Sequence, residues 1–202
     1  MLYICRISDT GAKMLSNEEK LDPRVRRTRA LILNAFEGLI IEKNFDAISV
    51  QDVTSSAQIN RATFYAHFQD KYALLDHFIS QKFVEELEKR TLNVCHYSLD
   101  NLRSLILAVC EFLSHLHHGC PQHNQQFESL AEAQVKKQVY ALLAHWLEKS
   151  KTPIPTEIPV TVATWAIYGL ASYYSQSKSH PSLDLFVDEA LPLVAVNLEQ
   201  FA

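Results

Sequence analysis

Glycine and proline are scarce in this chain, four and seven among 202 residues, and few segments alternate apolar and polar residues in period two. Little is therefore on hand for the tight turns and half-buried strands of a β-fold. No apolar run approaches the ~20 residues a membrane-spanning helix needs, so no membrane partner is expected. The four cysteines, Cys5, Cys95, Cys110 and Cys120, show no C-x-x-C spacing and are too few for a disulfide framework. Reduced thiols in a cytoplasmic protein are the expectation. A surplus of positive charge is missing too: 19 Lys+Arg stand against 23 Asp+Glu. That balance excludes a uniformly basic nucleic-acid coat while leaving room for a local basic patch. The opening stretch MLYICRISDTGAK lacks a clear apolar run before a cleavage site and makes a poor secretion signal. Residues 1–22 are expected to be a disordered or non-native extension, with Met14 a candidate start.

What the chain has instead is helical periodicity, and enough length to bury a real core. Asp22-Pro23 is a helix entry, since Asp caps and Pro suits the first turn. Ile32, Leu33, Phe36, Leu39 and Ile40 then recur at helical spacing. Ser49 caps a short helix, VQDVTSSA; Asn60 caps a second, RATFYAHF; Asp70 caps a longer one from about Lys71 to Arg90 or beyond. After Leu92 long helices follow at 100–118, 124–149, 156–178 and 182–200, with Pro121, Pro153, Pro155 and Pro181 marking the breaks. The predicted fold is all-α: a three-helix head over 23–70, and a helical body over 71–202 whose first helix makes the connection.

Two short capped helices joined by a tight turn, after a longer helix, form a helix-turn-helix candidate, which lays its second short helix in the DNA major groove. Arg61 is long enough to bridge guanine O6 and N7, and Thr63 offers a hydroxyl to phosphate or a methyl to thymine. Tyr65 and His67 can donate to backbone phosphate, and Lys71 stands at the next helix start, where a phosphate is attracted. The caps Ser49 and Asn60 join this set. Ahead of them RVRRTR gathers Arg24, Arg26, Arg27 and Arg29, a basic arm or first turn suited to phosphates or the minor groove. Phe64 and Phe68 are expected in the core. Tyr65 taken alone could be core or contact.

Residues 25–75, TRALILNAFEGLIIEKNFDAISVQDVTSSAQINRATFYAHFQDKYALL with its flanks, resemble the DNA-binding head of the TetR family of transcriptional regulators. The resemblance covers about a quarter of the chain and includes FDAISVQDV, the aromatic FYAHF and DKYALL. It implies a homodimer with about nine helices, a head that grips a palindromic DNA operator, and a divergent body that binds a small-molecule effector. It also implies DNA contact by Arg61, Thr63, Tyr65, His67 and Lys71. Many members carry Gly in the turn between the short helices, where this chain has Gln58. If that position needs a positive φ, Gln costs of order ~1 kcal/mol.

Beyond residue 90 no ligand signature carries over. Phe112, Phe127, Tyr140, Trp146, Trp165 and Tyr168 are candidates for an apolar effector cavity, the alternative being that each is core. HLHHGCPQHN places His115, His117, His118, Cys120 and His123 together, borderline-soft donors suited to zinc or copper, but in no familiar zinc spacing. A metal- or thiol-sensing regulator is thus kept as an alternative, with no metal or cofactor expected. The dimer is expected through two C-terminal helices, about 159–178 and 183–200, with Ala163, Ala166, Gly169 and Ala171 or Ser172 permitting close approach. The rival is that these small residues pack within their own body. Pro192 is expected to kink or divide the last helix.

The function expected is a ligand-responsive regulator, a repressor in most of the family, released from DNA by its effector. An enzyme is not expected: no nucleophile motif, H-E-x-x-H, phosphate loop or functional carboxylate pair is present. A helical coactivator that has lost DNA binding is the remaining alternative.

Overall fold

In the computed structural model the described residues are 22–90, 96–119, 125–148, 155–177 and 181–201. They form eight α-helices and two short 3-10 turns, with no strand among them. We number the helices α1 (Pro23–Glu42), α2 (Val50–Ser56), α3 (Arg61–Tyr65), α4 (Lys71–Glu88), α5 (Leu99–Gly119), α6 (Gln125–Glu148), α7 (Glu157–Gln176) and α8 (Leu183–Ala195). The 3-10 turns are Phe45–Ala47, between α1 and α2, and Glu199–Phe201.

Helix starts follow local chemistry. Asp22 caps α1, its Oδ1 accepting the Arg24 N–H at 2.7 Å, with proline in the first turn. Ser49 and Asp52 form a reciprocal capping box at α2, Asn60 accepts the Thr63 N–H at 2.7 Å at α3, and Asp70 accepts from Tyr72 and Ala73 at α4. Each satisfies backbone donors that a helix start leaves without partners. Pro192 lies inside α8 and does not divide it: the helix runs on to Ala195. Its position near the C-terminal end limits what the missing N–H can interrupt.

The head is α1 packed on α2, and α2 on α3. α1 buries Ile32, Leu33, Phe36, Leu39 and Ile40, one apolar stripe at helical spacing. Phe64 and Phe68 are buried beneath α3, as their spacing predicts. Connecting helix α4 joins this core to the body: Phe36 meets Phe78 edge-on at 5.6 Å between ring centroids. In the body α5 packs on α4, α7 and α8, while α6 bridges α4 and α7. Phe127 of α6 reaches the head itself, its ring 6.2 Å from that of Phe45. No described helix is long and apolar enough to cross a membrane.

Candidate nucleic-acid interface

The turn between α2 and α3 is a tight helix stop. The Ile59 N–H bonds back to the Thr54 carbonyl at 3.0 Å and the Gln58 N–H to that of Ser55 at 3.3 Å. Paired back-bonds of this kind close a helix around one residue in the left-handed region. That residue is Gln58, at φ 54°, the one non-glycine residue with positive φ among those described. The conformation that glycine supplies freely is therefore forced on a residue with a β-carbon.

The stop swings α3 so that Phe64 enters the core while Arg61, Ala62, Tyr65 and Ala66 are exposed. These four occupy one side of the short helix, and its two alanines leave room for close approach between the longer side chains. Tyr65 is half exposed; Arg61 Nη2 lies 3.4 Å from its Oη, so the phenol accepts there and keeps its own proton to donate. Thr63 donates its hydroxyl to Asn60 Oδ1 at 2.9 Å. That proton is committed to the cap, which leaves the methyl and the oxygen's acceptor capacity for a base. Asn60 acts through α3's start, its Oδ1 taking both the Thr63 amide and hydroxyl.

Lys71 is placed differently from the expectation of a free phosphate ligand. Its Nζ donates to the carbonyls of Phe45, Asp46 and Ile48, each at 3.1 Å, and lies 4.7 Å from the Phe45 ring centroid. An ammonium has three donors, and all are used. The reason is tertiary: the start of α4 is brought beneath the 3-10 turn, whose carbonyls point at it. Lys71 thus ties the head's entry to α2 onto the connecting helix.

Ser49 is exposed and holds the capping box, and its side chain is the main cause that keeps the Asp52 carboxyl well below the usual carboxylate range; Lys43, 2.9 Å away, adds to it. His67 is half-buried, and burial first, then the charge of Arg29, pushes its pKa down. A neutral imidazole then has one N–H to donate. Arg24, Arg26 and Arg27 are exposed in the first turns of α1, so the basic sextet is helical rather than an extended arm among the described residues.

The body candidates separate. Phe112, Phe127 and Trp146 are buried core, with Phe112 edge-on to Phe83 and Trp146 edge-on to Tyr97. Tyr140 and Tyr168 are half-buried; burial, with Glu132 and Glu128, pushes the Tyr168 phenol up to about 12. Trp165 faces outward, 60% exposed, with Lys136 Nζ 3.4 Å from its ring centroid. It does not line the interior: its ring lies at the surface beneath the Lys136 ammonium of α6. Ala163 and Ala171 are buried within the body, as the rival packing reading has it, while Gly169 is exposed. The outward stripe of α7 is instead Ile158, Val162, Trp165, Gly169 and Tyr173, and α8 adds Leu185 and Leu193, with Val196 just past its end.

Of the His/Cys group, His115 lies 3.8 Å from Glu86, and His117 Nδ1 lies 2.9 Å from Ser175 Oγ. The His118 side chain, Cys120 and His123 fall outside the described residues, as do Cys5, Cys95 and residues 1–21. Among the described residues no three metal-type donors cluster. Cys110 is buried, and burial pushes its thiol up to about 12, the opposite of a reactive thiolate.

Residues 32–78 match the family profile for "Bacterial regulatory proteins, tetR family". The chain is similar to YxbF of Bacillus subtilis, described as an uncharacterized HTH-type transcriptional regulator: 36% identity over 76 residues, 37% of this chain and 20% of that protein. It is similar to DhaS, the dhaKLM operon transcriptional activator of Lactococcus lactis, with 32% identity over 80 residues, 40% of this chain and 41% of that one. The chain thus spans between a fifth and about two fifths of the length of these relatives. In three dimensions it is similar to the regulator FadR of Bacillus subtilis, solved with stearoyl-CoA: TM-score 0.53, 13% identity, covering 84% of this chain and 98% of that one. At that identity the likeness speaks for the fold.

Proposed function

For a chain whose head belongs to the tetR family of bacterial regulatory proteins, we propose a ligand-responsive transcriptional regulator that binds a palindromic DNA operator as a homodimer. The observation that carries it is the α3 face: Arg61, Tyr65 and two alanines exposed together on a short helix seated on Phe64 and held by a strained stop. On this reading Arg61 reads a base edge and the Thr63 methyl touches a base. Tyr65 and His67 donate to phosphates, and Arg24, Arg26 and Arg27 contact the flanking backbone. Ser49, Asn60 and Lys71 act by positioning, since their polar atoms are engaged within the head.

The dimer is formed on the exposed apolar stripes of α7 and α8. Trp165, Tyr173, Leu185 and Leu193 lie outward on two helices packed side by side, joined by the Tyr173–Phe186 stack. Contiguous apolar patches of this kind are rare on monomers. A two-fold four-helix interface would bury them and set two α3 helices roughly one DNA turn apart, about 34–36 Å or somewhat more. FadR was solved with stearoyl-CoA, which supports reading the body as an effector domain. Binding of effector to the form whose heads no longer match the grooves releases the DNA, and the protein is then a repressor. DhaS is an activator, so activation by the same operator binding is the second reading.

The test is a fluorescence-anisotropy titration on the DNA flanking the gene, at two salt concentrations, with random-sequence competitor. Arg61→Ala is expected to weaken specific binding by about 1–3 kcal/mol and leave the oligomeric state unchanged. Binding to the flanking DNA and to a selected random library alike that never exceeds binding to competitor would refute the reading.

A further inference from the structure

The sides of α3 differ in chemistry as well as in burial. At roughly 100° per residue, Ala62 and Ala66 each stand about 160° from Phe64 around the axis, on either side of the pole that points away from the core. Both are exposed, as that placement demands, while Phe64 is fully buried. Arg61 and Tyr65 share one flank, where Arg61 Nη2 lies 3.4 Å from Tyr65 Oη. Thr63 stands on the other flank, half-buried, and its hydroxyl donates to Asn60 Oδ1 at 2.9 Å. The same Asn60 oxygen accepts the Thr63 amide at 2.7 Å, so the hydroxyl is held in the cap. The pole of the helix thus presents methyl groups, with one guanidinium at its edge.

Base edges are read by hydrogen bonds or by apolar contact. An alanine has no hydrogen-bonding side chain, and the apolar group that the major groove displays is the C5 methyl of thymine. We infer that Ala62 is a specificity-determining residue, which packs on the C5 methyl of one thymine in each operator half-site, beside a guanine held by Arg61. The inference rests on the reading of α3 as the helix that enters the groove. Ala62 takes this role rather than Ala66 because the first residues of such a helix aim at base edges, whereas Ala66 is the C-cap. Contact of this kind ignores the thymine O4, so the methyl alone carries the preference. A 5-methylcytosine at that position satisfies Ala62 as thymine does. The rival account, that alanine serves a five-residue helix through its propensity, predicts no dependence on the methyl.

The test uses the full chain. Wild-type protein first selects binding sequences from a random duplex library. Each thymine of the selected half-site is then replaced in turn by deoxyuridine, which lacks that methyl, and affinity is read by fluorescence anisotropy. One thymine per half-site is expected to show about a fourfold loss, and about fifteenfold with both half-sites changed, from the burial of one methyl in each. With cytosine placed there, 5-methylation should restore binding by the same factor. In Ala62→Gly the ratio of thymine to deoxyuridine affinity at that position should fall below about twofold. A ratio measured on one protein cancels any loss of helix stability that glycine brings. In Thr63→Ser, which keeps the hydroxyl for Asn60, the ratio should be unchanged. If Ala62→Gly does not bind, Ala62→Ser replaces it, setting a hydroxyl against the methyl and lowering the same ratio.

The proposal is overturned if no thymine responds to deoxyuridine, or if 5-methylcytosine binds no better than cytosine. It is equally overturned if the ratio survives at residue 62 and is lost in Thr63→Ser instead. Two levels separate cleanly. A library that yields no sequence bound above random DNA sinks the regulator reading, whereas a selected operator indifferent to the methyl sinks the role of Ala62 alone.

Discussion

Replacing Gln58 by glycine should make the head more stable. Gln58 holds φ 54° at the end of α2, where the Ile59 and Gln58 amides bond back to Thr54 and Ser55. A β-carbon in the left-handed region costs about 1–2 kcal/mol. Glycine removes that cost but restores freedom to the unfolded chain, which returns about 0.4–1 kcal/mol. The net gain expected is about 0–1.6 kcal/mol, centred near about 0.8. The Gln58 side chain is exposed, so little packing is lost in the exchange. Urea denaturation followed by circular dichroism reads the effect as a higher midpoint at unchanged slope. If the chain unfolds in one step, Tm rises by about 2–4 °C for each kcal/mol. Gln58→Ala is the control: it keeps the β-carbon and should stay within about 0.5 kcal/mol of the wild type. A glycine variant no more stable than the alanine variant would refute the reasoning, because strain at the β-carbon would then not be what the turn stores.

Lys71→Met removes three charge-assisted bonds to carbonyls and should destabilise the protein by about 1.5–3 kcal/mol while leaving the salt slope of operator binding unchanged. A direct phosphate contact would instead lower that slope by about 1. Trp165→Asp with Leu193→Asp should give a monomer in sedimentation velocity with helical content intact; a dimer that survives both would move the interface elsewhere. Head stability should decline as pH falls below about 6.5, the ordinary histidine value. The depressed His67 pKa means the unfolded chain takes up the proton first, so the contribution is complete above the unfolded value and lost as pH falls through the folded one. His67→Gln should flatten that part of the stability–pH curve measured by urea titration.

Features decided within a few residues were readable in advance. The caps Asp22, Ser49, Asn60 and Asp70 stand where their side chains can reach the first free amides, and the α1 stripe from Ile32 to Ile40 is buried as its spacing demands. Gln58 was legible only as a condition, that a left-handed stop there would strain a residue with a β-carbon; the structure shows that it is left-handed, at φ 54°. Candidates that depend on a neighbouring element were harder. Aromatic residues at helical spacing look alike in sequence, yet Trp146 is core and Trp165 is outside.

The sequence by itself determined the helices, their ends, and the arrangement of the head, because caps, periodicity and turn chemistry act over a few positions of chain. Tertiary structure alone decided which faces meet. It turned the Lys71 ammonium to the carbonyls of Phe45, Asp46 and Ile48, and buried Ala163 and Ala171 while leaving Trp165 exposed. A side chain's partner is chosen by whichever helix packs against it, and residues far apart in the chain determine that packing.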